Sequence, residues 1–148
     1  MRPVPSTFLA SVIALGCAAT NVADPLPGEL ARGTWGGENA FVMVTDSVTH
    51  VHIGCTLGDL PAIVPLDAQG RFTVNGSYVL RAYPVYVGPE LPAQFSGQVV
   101  GRTLTLAVAV NDTVAKEVVA LGPVTVVHGR EPNMGPCPIC VAPPKPFR

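Results

Sequence analysis

The chain has 148 residues, enough for a single core, and its nine Lys+Arg and ten Asp+Glu give a formal net charge of -1. That balance, with no Lys/Arg cluster, excludes a strongly basic nucleic-acid binder, and a hydrophobic content of 48% excludes a disordered chain. Fifteen glycines and sixteen prolines predict short elements joined by tight turns.

Met1-Arg2-Pro3 places one positive charge ahead of the apolar run Phe8-Leu9-Ala10-Ser11-Val12-Ile13-Ala14-Leu15-Gly16. The run is too short to cross a hydrocarbon core about 30 Å thick. It reads as the apolar region of a secretory signal over residues 1–16. The stretch Ile13-Ala14-Leu15-Gly16-Cys17 resembles the lipobox of bacterial lipoproteins, with Ala14 and Leu15 in the reverse of the family's usual order. The resemblance implies that Cys17 is lipidated and becomes the new N-terminus. Ala18, where Asp would signal retention at the inner membrane, implies an anchor in the outer membrane, facing the periplasm or the cell surface. Several acyl chains would hold such a protein firmly, because each buried methylene contributes about 0.8 kcal/mol. Residues 17–32 have no periodicity and read as a tether, and no later stretch is apolar for long enough to cross a membrane as a helix.

Beyond residue 33 the pattern predicts strands. Residues 40–45 form a β-branched apolar run, and residues 48–53 alternate, with Val51 and Ile53 on one face and His50 and His52 on the other. Asp46-Ser47 between them suits a hairpin turn. Asp67-Ala68-Gln69-Gly70 predicts a turn, residues 71–74 a strand, Asn75-Gly76 a bend or break, and residues 77–81 a continuation. Residues 88–92 read as an irregular loop. Residues 95–100 and 103–110 flank Gly101-Arg102, which suits a two-residue type II′ hairpin turn. Asn111-Asp112 predicts another turn, and residues 114–121 and 123–127 two final strands, the first of which could instead be a short helix. About eight strands at this spacing predict an all-β domain over residues 33–130, either a small antiparallel β-barrel or a β-sandwich, followed by a Pro-rich, Cys-containing tail over 131–148.

Gly33-Thr34-Trp35-Gly36 resembles the Gly-x-Trp that opens avidin- and lipocalin-type (calycin-like) barrels, which implies a tryptophan packed across one barrel end. More broadly, Gly33 to Gly37, Cys55, Gly129-Arg130-Glu131-Pro132 and Cys137 together resemble small uncharacterised exported bacterial β proteins, a resemblance that implies export and carries no activity.

Cysteines lie at 17, 55, 137 and 140. With Cys17 lipidated, three remain, and an oxidising compartment favours a disulfide. The leading pairing joins Cys55 to Cys137 or Cys140, closing a loop of roughly 80 residues worth about 4 kcal/mol in the loop-entropy account. A Cys137–Cys140 bridge that leaves Cys55 free is the other pairing. A redox dithiol at Cys137-Pro138-Ile139-Cys140 lacks the following helix that would lower a thiol pKa. A zinc or other metal site remains open as an alternative function, drawing on His50, His52, Cys55, Cys137 and Cys140 as ligands.

No phosphate loop, nucleophile elbow, dinucleotide-binding glycine pattern or metalloprotease motif is present in the sequence. The acids Asp46, Asp59, Asp67 and Asp112 read as turn formers, and His128 as a residue of the barrel rim. The expectation is a cell-envelope lipoprotein without catalytic activity or cofactor, bound to the membrane through its lipid. It would act as a binding or structural module. Its partner would be a small apolar ligand, held in a barrel mouth lined by Trp35, Tyr78, Tyr83, Tyr86 and Phe95, or an envelope protein met through the proline-rich loop 83–92.

Overall fold

A computed structural model describes residues 28–81 and 88–137. Cys17, Tyr83, Tyr86 and Cys140 therefore lie outside the described residues, as do the stretch expected to be a signal and most of the stretch expected to be a tether. The described chain contains eight strands and no helix: β1 Gly33–Gly37, β2 Ala40–Val44, β3 Val48–Ile53, β4 Thr56–Pro61, β5 Arg71–Val79, β6 Leu91–Val100, β7 Thr103–Asp112 and β8 Glu117–His128. Each pairs antiparallel with the next, and β1 pairs with β8, giving a closed barrel of sequential order. The pairing of Trp35 with His128 and Gly36 with Val127 decides between barrel and sandwich, because it leaves no sheet edge open to another chain. Of the two architectures that the strand pattern left open, the chain forms the small antiparallel barrel, of the calycin-like kind that the Gly-x-Trp resemblance implied.

The alternation of the strands sets the two faces. In β7, Leu104, Leu106, Val108 and Val110 are buried, and the residues between them face outward. Val42, Val51, Phe72, Phe95 and Val126 meet them from other strands, filling the interior. Burial of side chains of this size, about 1.5–3 kcal/mol each, is the main force holding the sheet closed.

One barrel end is shut by Trp35, which is fully buried and donates its indole N–H to the Ala31 carbonyl at 2.9 Å. Leu30 packs beside it in the core, and Glu29 bridges Pro65. The last residues of the stretch 17–32 expected as a tether belong to the body, because Leu30 is buried in the core and its N–H donates to the Val64 carbonyl. At the other end the tail folds back. Asn133 N–H donates to the Gly37 carbonyl, the Asn133 side-chain amide donates to Glu38, and Asn39 Oδ1 accepts from Gly135 N–H. Cys137 then bridges Cys55, with Cα atoms 5.5 Å apart across a separation of 82 residues.

Several local expectations are corrected. Gly33–Gly37 and Thr56–Pro61 are strands, although glycine, aspartate and proline make both poor β sequences in isolation. Asn75-Gly76 does not break the chain; β5 runs through it because Gly76 lies against the backbone oxygen of Asp59, where no Cβ fits. Leu91 and Pro92 belong to β6, which shortens the expected loop. β7 extends through Asn111-Asp112, and the turn falls on residues 113–116, where Asp112 Oδ1 accepts from Val114 and Ala115 N–H and Lys116 takes a φ of 60°. The last two expected strands are one, β8, which passes through a cis Gly122–Pro123 peptide opposite a register shift between Leu106 and Val108. The short helix considered for 114–121 does not form. Gly101-Arg102 makes the expected two-residue hairpin, with φ +59° at Gly101.

Candidate functional site

The chemistry-bearing side chains collect on the outer wall of β2, β3 and β4. Thr49 and Val51 of β3 point inward and are buried, so His50 and His52 project outward, as their alternation predicts. Residues directly opposite in an antiparallel ladder share a face. The registers therefore build two parallel cross-strand rows: Met43–His50–Asp59 and Phe41–His52–Leu57.

Contacts within the rows are specific. His50 Nδ1 meets the Asp59 carboxylate. Because a carboxylate only accepts, the Nδ1 carries the proton and the lone pair of neutral His50 sits on Nε2. That atom accepts from His52 Nε2–H at 2.9 Å. Phe41 stacks on the His52 ring with centroids 4.4 Å apart and planes 13° from parallel, while the two imidazoles meet edge-on at 4.8 Å. Burial lowers the His52 pKa below its ordinary value, and neighbouring His50 lowers it further, against an opposing pull from Asp59. Beside the stacked pair lies a cleft of about 360 Å³ between Phe41, His52, Leu57, Met134, Pro136 and the Cys55–Cys137 bridge. The tail thus forms one wall of a groove whose other wall is the sheet.

The expected ligand residues fall elsewhere. Trp35, Tyr78 and Phe95 are fully buried. They are core rather than an exposed lining, because each lies on the inward phase of its strand and large rings are what fill a barrel this narrow. Tyr78 and Phe95 pack against each other with centroids 6.0 Å apart. The Tyr78 hydroxyl donates to Thr56 Oγ1 at 2.7 Å, and Thr56 donates onward to the Ile53 carbonyl at 2.7 Å. Burial pushes the Tyr78 pKa up to about 12. Of the proline-rich loop, Gly88, Pro89, Leu91 and neighbouring Leu80 and Arg81 line a rim cleft of about 240 Å³ with Asp112 and Val114. His128, expected at the rim, is buried against Trp35 and hydrogen-bonded through Nε2 to the Arg32 carbonyl at 2.9 Å.

Cys55 and Cys137 pair with each other, so of the two cysteine alternatives the long bridge is the one formed. The bridge occupies the sulfurs of Cys55 and Cys137, and Cys140, the remaining cysteine of the candidate ligand set with His50 and His52, lies outside the described residues. Among the described residues, no group of three or more His, Cys, Asp and Glu side chains is arranged to hold a metal ion. Asp59, read as a turn former, is instead the partner of His50. The signal for it was the Gly54-Cys55 turn: once Ile53 faces Thr56 across that turn, His50 must face Asp59.

No protein-family description, curated protein or solved structure matches this chain. Among the described residues no helix is long and apolar enough to cross a membrane.

Proposed function

We propose that this protein is a cell-envelope lipoprotein, exported by residues 1–16 and lipidated at Cys17, whose barrel serves as a non-catalytic binding or structural module. The observation that carries the reading is the Cys55–Cys137 disulfide, which spans 82 residues and clamps the tail to the β3–β4 turn. Bridges of this structural kind belong to compartments beyond the cytoplasm, and the lipobox-like start at Ile13 to Cys17 supplies the route there. A core filled by Trp35, Tyr78 and Phe95 favours recognition on the outside of the barrel over capture of a ligand within it. The groove formed by Phe41, His52, Leu57 and Met134 is the surface assigned to that role, because it is open and lined by apolar and aromatic side chains.

The test is the intact mass of the protein purified from bacterial membranes. The expected result is a chain beginning at Cys17, heavier by its acyl groups, with Cys55 and Cys137 oxidised. A cytoplasmic protein that retains Met1 and free thiols at both positions would overturn the reading.

A further inference from the structure

We propose that the His50–His52 pair is a binding site for a divalent late first-row transition ion, copper(II) foremost, on the outer wall of the barrel. The site does not depend on lipid anchoring, and it differs from a thiolate zinc site in using no sulfur from the disulfide. Three observations point to it.

The first is convergence. His50 Nε2 and His52 Nε2 face each other at 2.9 Å, so one ion set between the two rings, with a small outward adjustment, can take a nitrogen from each. His50 already turns its Nε2 lone pair toward the space between the two rings. His52 needs only to shift its proton from Nε2 to Nδ1, the change of tautomer that gives a neutral imidazole a lone pair on Nε2.

The second is orientation. The Asp59 carboxylate holds the far nitrogen of His50, an arrangement of carboxylate, histidine and ion that fixes the tautomer and raises the basicity of the ligand. The Phe41 ring, stacked at 4.4 Å, holds the plane of His52 in the same way. Both histidines therefore stand on one strand, β3, with their rings already positioned.

The third is access. His50 and His52 are only partly buried, and the cleft beside His52 leaves room for water or an exogenous donor to complete the coordination. Met43, directly opposite His50 and 42% exposed, places a thioether in the same row. Two imidazoles with oxygen donors suit a tetragonal copper(II) centre, and copper(II) heads the affinity order for a site of this type.

The test uses the full, untagged chain in detergent, with free thiols alkylated, titrated with copper(II) chloride and followed by calorimetry and electron paramagnetic resonance. The expected result is one ion per chain, with hyperfine structure from two nitrogens. His50→Gln and His52→Gln should each weaken binding at least tenfold and remove one nitrogen from the spectrum. Asp59→Asn should weaken it by about 10- to 100-fold while both nitrogens remain, and Asp59→Glu should recover part of the loss. In the unaltered protein, which has three histidines, copper(II) should broaden the ring proton signals of His50 and His52 before those of His128. Absence of stoichiometric binding, binding unchanged in both histidine variants, or broadening of His128 first would each overturn the proposal.

Discussion

The Trp35 ring packs on His128 across the β1–β8 seam, with centroids 4.8 Å apart and planes inclined by 51°. This contact joins the first strand to the last and covers one end of the barrel. The Arg102 guanidinium reinforces it by donating to the His128 carbonyl at 2.6 Å. Trp35→Ala should cost about 3–5 kcal/mol, since it removes a fully buried ring and leaves a cavity. Urea unfolding followed by circular dichroism measures this. Trp35→Phe should recover more than half of the loss, and equal stability of the Ala variant and the parent would show that the seam closes without the ring.

The Cys55–Cys137 bridge ties the tail to the barrel wall across 82 residues. In the loop-entropy account its removal costs about 4–5 kcal/mol. Cys55→Ser, Cys137→Ser and the double variant should unfold at one common urea concentration, matching the parent under reductant, because all four lack the same single constraint. Unequal midpoints would mean that one sulfur has another partner.

Alkaline stability should carry the mark of Tyr78. Its ordinary pKa of 10.0 rises to about 12 in the folded chain, because burial disfavours the phenolate. Between these values the folded state binds more protons than the unfolded state, so stability falls as pH rises from 10 toward 12; below pH 10 this group contributes no slope. The full loss is about 3 kcal/mol. Urea midpoints taken from pH 9 to 12 should show this decline in the parent, and Tyr78→Phe should flatten it relative to the parent.

Gly58 faces the Tyr78 ring, and a Cβ at this position would lie 2.8 Å from both the Ser77 oxygen and ring carbon Cε2. Gly58→Ala should therefore cost about 1–3 kcal/mol through overpacking. Because the intruding methyl meets the same ring, it should also alter the alkaline slope assigned to Tyr78. Gly54→Ala meets open space but keeps a φ of +59°, so it should cost about 1–2 kcal/mol from backbone strain alone and leave that slope unchanged. Thermal and urea unfolding of the two variants, compared at pH 8 and 11, separates the two causes.

Strand character was legible where apolar and polar residues alternate without interruption, as in Val48–Ile53 and residues 103–110, because period two leaves its trace in the chain itself. The same alternation put His50 and His52 on one face. It was not legible in Gly33–Gly37 or Thr56–Pro61, whose residues favour turns locally and become strands only because paired neighbours supply their hydrogen bonds. Missing Thr56–Pro61 also hid Asp59, and with it the third member of the His50 row.

The sequence by itself determined that the described body is all β and that Gly101-Arg102 reverses the chain, since both follow from residue type and spacing over a few positions. Only the tertiary structure decided that the sheet closes, that Cys137 reaches Cys55, and that Phe41, His52 and the returning tail form one groove. The reason is physical: closure, the bridge and the groove depend on contacts between residues distant in the chain, and those contacts exist only once register and twist have been summed around all eight strands.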